Sequence, residues 1–402
     1  MHPALLPGGH HGDGPPARPE LPPSAPVVII GGGVMGASAA FHLAEAGVGG
    51  VLLLERGRLA AGSSGKPIGG VRAQFSDPLN IDIAARSLRA YRGFRERVGT
   101  GIGLDRAGYL FLLTRPDDAA AFERAVALQN TMGLPNRMVG PAEAGRLCRY
   151  AAAPGLLCAA YSPEDGHARP VRVVEGYARA AERAGAAVRT GCTVTGIGTE
   201  GGRVAEVHTT AGTVRTGAVV CAAGAWSAGI GAMAGVELPV RPLRRQIAFT
   251  RPMRPRPPRI PFTIDFASSA YFHNSDDGML FGMSDPRQEE GFDTSYSEEW
   301  LAPFRGVLRE RAPELAGLPV AGGWAGLYET TPDHNALIGA DDRVGGFLYA
   351  TGFSGHGFLQ APAVGEIVRD LFLGRTPPVD IAPLTAARFT SGAQPRPEAA
   401  IV

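Results

Sequence analysis

Three glycines at positions 31, 33 and 36, set between an apolar run and an apolar helix-forming segment, restrict this chain more than any other feature. Residues 27–30 (VVII) have the unbroken β-branched character of a strand buried on both faces of a parallel sheet. Gly31, Gly33 and Gly36 then fill a G-x-G-x-x-G spacing. The first permits a tight turn, the second lets backbone N–H groups approach a pyrophosphate, and the third lets the next helix pack on its strand. That helix holds Val34 and Met35 in its first turn and aims its unpaired N–H groups and positive end at the phosphates. Residues 51–54 read as a second buried strand. Glu55, 24 positions past Gly31, stands close to the ~20-residue offset of an acid that binds a ribose hydroxyl, with Arg56 beside it. Strand, turn, helix, strand and acid in this register read as one half of a dinucleotide-binding fold.

With 402 residues, 45% of them hydrophobic, the chain can bury a large core divided between two domains. Lys and Arg total 39 against 38 acids, so no overall field favours nucleic acid or an anionic membrane, and neither is expected as a partner. No apolar run reaches the ~18 residues of a membrane span. Cys148, Cys158, Cys192 and Cys221 are scattered without C-x-x-C or Cys/His spacing, which reads as four reduced core thiols in a cytoplasmic protein and no metal site. Residues 1–25 are rich in Pro, Gly and His and lack the basic start and apolar core of a signal peptide, so a disordered tail is expected.

Beyond Glu55, residues 60–75 (AAGSSGKPIGGVRAQF) form a Gly/Ser-rich loop. A helix is expected from Pro78 to about Val98, a strand over 107–113, and a helix over 116–132 opened by Pro116 with acids in its first turn. Pro170 opens another helix with Val171, Val174, Ala178 and Ala181 on one face, followed by a β-meander over 187–199, 203–209 and 213–216. Residues 218–226 (AVVCAAGAW) read as a buried strand ending at Ala223, Gly224 and Trp226, where Gly224 leaves room for a backbone to approach a ligand. After Val240 the alternating segments at 262–274 and 278–284 give an antiparallel sheet, with a helix over 298–311. The chain then returns to its first pattern: a strand over 346–351, the loop GFSGHGF over 352–358, and a helix over 359–373 with Ala363, Ile367, Val368 and Leu371 facing inward. Residues 377–402 form a trailing tail, and no internal repeat is present.

GGGVMG with Glu55, GSSGKPIGGVRAQF at 62–75, CAAGAWS at 221–227, LYETTPDHNALIG at 327–339 and GFSGHGFLQAP at 352–362 together resemble the D-amino-acid oxidase superfamily of flavoproteins, in its sarcosine oxidase and L-proline dehydrogenase β-subunit branch. The resemblance spans about residues 26–376. It implies an α/β fold, α+β overall: a Rossmann-like FAD-binding domain of 26–90, 155–239 and 325–376, and a second antiparallel-sheet substrate domain of 91–154 and 240–324. It implies FAD rather than NAD, contacted by the glycine turn and Glu55, by Ser63, Ser64, Gly69 and Gly70, by Val194, and by Ala223, Gly224 and Trp226. The C-terminal motif adds Gly352, Ser354, Gly355, His356, Gly357 and Phe358. A flavin that accepts a hydride gains negative charge around N1 and the C2 carbonyl, and the helix N-terminus after this loop supplies positive potential there.

By the same resemblance Arg72 grips a substrate carboxylate, Tyr328 lies beside the flavin and His356 packs against it. Tyr271 sits in the segment that faces the ring and reads equally as a core aromatic; His273 is a candidate to deprotonate a substrate ammonium, or simply ends a strand. Four departures stand out. Leu359 and Leu280 occupy positions where monomeric sarcosine oxidase carries lysines, one anchoring carboxylate and one assisting oxygen. Gly326 replaces the cysteine that attaches its flavin. Pro170 replaces the histidine that carries a second flavin in the heterotetrameric branch, with His167 nearby. Non-covalent FAD and a single flavin follow; the acceptor is oxygen or another electron acceptor, with the lost lysines on the side of the second.

The resulting expectation is an FAD-dependent oxidoreductase that takes a hydride from the carbon beside the nitrogen of a secondary or primary amino acid, sarcosine-, proline- or glycine-like, leaving an imine for water to hydrolyse. Two other readings stay open: a subunit of a multi-subunit dehydrogenase or a homo-oligomer, and a non-catalytic flavin-fold scaffold that binds partner subunits.

Overall fold

The computed structural model describes residues 20–151, 154–390 and 397–398. The expected disordered tail lies outside these residues up to position 19. From Glu20 onward the chain is placed against the protein: Ser24 bridges Arg215, and the Ala25 N–H donates to the Arg215 carbonyl at 3.0 Å. Disorder over 20–25 is therefore corrected.

Two large sheets dominate. The first runs in the order Leu337–Ala340, Phe347–Thr351, Val219–Cys221, Val28–Ile30, Leu52–Leu54, Ala187–Arg189, parallel except at its first strand. Alternate residues of these strands point to opposite faces, and both faces are covered. Val27, Ile29, Leu53 and Val220 meet the helices Val34–Glu45, Pro170–Arg183 and Gly357–Phe372. Val28, Ile30, Leu52 and Val219 meet a three-stranded antiparallel layer, Val194–Glu200, Arg203–Thr209 and Gly212–Arg215. Double burial is why these short strands read as continuous apolar runs.

The second sheet has the order Val320–Thr330, Arg241–Thr250, Gly278–Gly282, Ala270–Ser275, Phe262–Asp265, Tyr109–Leu113, Cys158–Ser162, Arg137–Val139. It is antiparallel apart from the parallel pairing of Phe262–Asp265 with Tyr109–Leu113. The strand Cys158–Ser162, and Val320–Thr330 from residue 325 onward, enter it from segments expected in the cofactor unit. Leu110, Ala248, Phe272 and Phe281 on one face pack against the helix Leu301–Arg311. Tyr109, Ile247, Phe262, Ile264 and Tyr271 on the other face turn toward the first sheet.

Several expected elements shift. The helix from Pro78 ends at Arg92 and resumes as Phe94–Val98, broken at Gly93; its start is capped by the Asp77 carboxylate, which accepts from the Leu79 N–H at 2.9 Å. In Pro170–Arg183, Val171 is 41% exposed and Val173 takes the buried place expected of it. The last helix starts at Gly357, two residues early, and Leu384 in the tail is buried against the first core.

Candidate active site

A cavity of about 760 Å³ lies between the glycine turn, the loop after the second strand and the inner face of the second sheet. Val28–Ile30 ends at Gly31 with φ +117°, where a Cβ would come 2.3 Å from the Ala222 carbonyl oxygen, so the turn requires glycine. Val34 opens its helix by donating its N–H to Ser64 Oγ at 2.8 Å, and a Cβ on Gly33 would stand 2.9 Å from that oxygen. Glu55 accepts from the Gly32 and Gly57 N–H groups at 2.7 and 2.8 Å. Arg56 lies 3.8 Å over the Trp226 ring, which stacks on Phe292 at 5.6 Å. Ser63 Oγ is buried on this wall with no hydrogen-bond partner among the described residues.

The other end is cationic and aromatic. Arg72, 4% exposed, places its guanidinium 4.3 Å over Phe75 and 5.3 Å over Phe111. Its Nη1 donates to the Gln74 carbonyl and its Nη2 lies 3.2 Å from His356 Nε2. A guanidinium only donates, so Nε2 accepts and the imidazole is neutral. Burial, and then the Arg72 charge, hold His356 well below the usual histidine range. Tyr328 is packed on Gly355, where φ is +96° and a Cβ would stand 2.5 Å from the ring. Tyr271 lies across Gly282 in the same manner, at 2.2 Å. Desolvation raises both phenols, Tyr271 strongly, so both are uncharged donors at neutral pH. Tyr109 stacks on Phe262 at 4.4 Å, and Arg245 stands 5.2 Å over the Tyr328 ring.

Most of the expected contacts, from Gly31 through Val194 and Trp226 to Phe358, line this cavity, and four do not. Gly36 packs on the turn itself, its Cβ position 1.9 Å from the Gly31 carbonyl oxygen. Gly352 and Ser354, with φ of +69° and +48°, shape the loop behind the wall, and the Ser354 N–H donates to the Glu329 carbonyl at 3.0 Å. His273 is turned away: Nδ1 lies 2.6 Å from the Asn274 carbonyl and Nε2 3.0 Å from that of Ile68, so neither nitrogen is presented to a substrate. A role for it as base is corrected on that geometry.

Sequence reasoning missed Arg245, Tyr109, Lys66 and Glu329 on the wall. Burial pushes the Glu329 carboxyl up to about 7, opposed by the Thr351 hydroxyl that donates to it at 2.9 Å. Behind the wall, burial also pushes Asp165 up to about 7, against the Ala73 N–H that donates to it at 3.2 Å.

A family model described as FAD dependent oxidoreductase (DAO) matches residues 26–371. The chain belongs to that family. Mitochondrial dimethylglycine dehydrogenase of Rattus norvegicus is 27% identical over 397 residues, covering 94% of this chain and 46% of that protein, so the chain spans about half the length of this relative. FAD-dependent oxidoreductase domain-containing protein 1 of Bos taurus is 31% identical over 93% of this chain and 86% of its own. The crystal structure of L-proline dehydrogenase from P. horikoshii superposes with a TM-score of 0.87 at 32% identity, covering 92% of this chain and 99% of that one.

FAD, the family's cofactor, suits this wall. Glycine at 31 and 33 keeps the turn clear of side chains, the unpaired Ser63 hydroxyl and the N-terminus of Val34–Glu45 face the same space, and Glu55 with Arg56 and Trp226 closes one end. Among the described residues no helix is long and apolar enough to cross a membrane, and no group of His, Cys, Asp and Glu could hold a metal ion.

Proposed function

We propose that this protein oxidises the C–N bond of an amino acid carrying a secondary or primary amine. The observation that carries the reading is one wall on which two guanidiniums, Arg72 and Arg245, stand among Tyr109, Phe262, Tyr271 and Tyr328 at the end of the cofactor cavity. The dimethylglycine and L-proline dehydrogenases similar to it are named for substrates with a substituted nitrogen next to a carboxyl-bearing carbon. Bound non-covalently through the glycine turn, Ser63, Glu55 and the 355–358 segment, FAD supplies the two-electron acceptor.

The chain's own residues position and desolvate. The positive potential of this end draws in the carboxylate and the aromatic rings exclude water, which strengthens that attraction and fixes the α-carbon. Tyr271, Tyr328 and His356 are uncharged at neutral pH, so the amine reacts once it has lost its own proton. Leu359 on the wall and Leu280 in the Tyr271 cluster stand where the oxidases resembled by sequence carry lysines, and the loss of charge at those two positions supports a dye-like or protein acceptor. Cys148, Cys158, Cys192 and Cys221 are free thiols, in keeping with a cytoplasmic setting. A partner subunit that carries electrons away fits the same reading.

The test is to purify the yellow protein and mix it anaerobically with a panel of N-methylated, cyclic and primary amino acids. Bleaching of the flavin band is expected with at least one class. A flavin that none of them reduces, while dithionite does, sinks the proposal in favour of a non-catalytic scaffold.

A further inference from the structure

We propose that Arg245 is the residue that binds the substrate carboxylate, an assignment that rests on the amine-oxidation reading. Arg245 lies opposite Gly326 in the antiparallel pairing of Arg241–Thr250 with Val320–Thr330. Opposed residues of such a pair share a face, so Arg245 stands with Ile247, Gly326 and Tyr328 on the cavity side. Arg244, on the other face, is already engaged: its Nε donates to Gln288 Oε1 at 2.8 Å, and its Nη1 to Asp293 Oδ2 at 2.5 Å and to the Ser295 carbonyl at 3.1 Å. Among the described residues Arg245 donates to the Arg244 carbonyl alone, at 3.2 Å, and its Nε is buried without an acceptor.

A buried charged donor without a partner is costly, and a planar guanidinium edge is satisfied best by the two oxygens of a carboxylate. Arg72 has less to offer. Its terminal nitrogens are directed to the Gln74 carbonyl and His356 Nε2, and its face is covered by Phe75. Arg72 therefore acts as a positioning residue that keeps the His356 imidazole neutral and fixed, while Arg245, flanked by the uncharged phenols of Tyr271 and Tyr328, holds the anion. The ligand class is an amino acid whose carboxylate meets the second sheet.

The experiment uses the FAD-loaded protein and benzoate, with benzamide as its uncharged counterpart, titrated by equilibrium dialysis and by perturbation of the flavin spectrum. Wild type is expected to prefer benzoate. Arg245→Met should weaken benzoate on the order of tenfold to a hundredfold and abolish the preference for it over benzamide, with FAD content unchanged. Arg245→Lys should restore part of that preference, since a point charge replaces the fork. An unchanged preference in Arg245→Met, or a wild type that does not distinguish the two, overturns the assignment. So does loss of FAD from the variant, which would make Arg245 a cofactor contact. The titration requires no turnover: wild-type flavin that no amino acid reduces would sink the amine-oxidation reading, while the benzoate preference still decides for Arg245.

Discussion

At the scale of single residues, Gly33 and Gly36 carry different burdens within one motif. A Cβ on Gly33 meets one side-chain oxygen and otherwise enters the cofactor cavity, whereas on Gly36 it would fall 1.9 Å from the Gly31 carbonyl oxygen. Gly33→Val should therefore fold, with an unchanged circular dichroism spectrum, and purify with little FAD. Gly36→Val should fail to fold or melt far lower. If both lose only FAD, the separation of roles is wrong. Arg72→Lys keeps the charge but loses the bond to His356 Nε2 and the stacking on Phe75, so kcat/KM should fall on the order of tenfold to a hundredfold. An unchanged value would remove Arg72 from the site. Arg72 was legible as a cation in a family motif. Arg245 was not, because Arg244 and Arg245 are adjacent and identical, and only the strand pairing decides which of them faces the cavity.

At the scale of elements, the strands Val28–Ile30, Leu52–Leu54, Val219–Cys221 and Phe347–Thr351 of the first sheet were legible because burial on both faces leaves unbroken apolar runs, and the glycine turn fixed the helix after the first of them; Leu337–Ala340 was not read as a strand, and Ala187–Arg189, only half-buried, was read as part of the meander rather than of this sheet. The membership of the second sheet was not. Cys158–Ser162 and Val320–Thr330 join it by pairings remote in sequence, and a local pattern does not encode its partner. Its cavity face depends on glycines that make room for tyrosines on neighbouring strands. Gly282 sits opposite Tyr271, whose ring occupies the place a Cβ would take at 2.2 Å. Gly282→Ala must push Tyr271 off the strand and into the cavity. Overpacking of this kind costs typically ~1–3 kcal/mol. The variant should melt a few degrees lower and show a raised KM and a shifted flavin spectrum. A variant identical to wild type in all three measurements would mean that Tyr271 does not face the substrate.

At the scale of the whole molecule, the cavity separates two sheets whose joint desolvation of carboxyl groups gives the fold a pH dependence. Glu329 stands on the wall beside Thr351, and Asp165 lies behind the Arg72 loop; burial raises each to about 7 from ordinary values of 4.5 and 3.8. An acid whose folded pKa is raised binds its proton more tightly in the native state than in the unfolded chain. Its burial is tolerated below about pH 4, and stability is lost as pH rises from there through about 7, beyond which the loss is complete. At ~1.4 kcal/mol per pH unit each group costs on the order of 3 kcal/mol above neutrality. Glu329→Gln retains an oxygen for the Thr351 hydroxyl, and Asp165→Asn one for the Ala73 N–H, without the charge. The midpoint of thermal unfolding of the FAD-free protein should therefore exceed wild type by a smaller margin at pH 5 than at pH 8, where the gain is several degrees in either variant and larger in the double variant. Other titrating groups shift wild type and variants alike, so the difference between them isolates these two carboxyls. A difference that stays constant from pH 5 to 8 would mean that both are already ionised in the folded protein, held by partners stronger than Thr351 and Ala73.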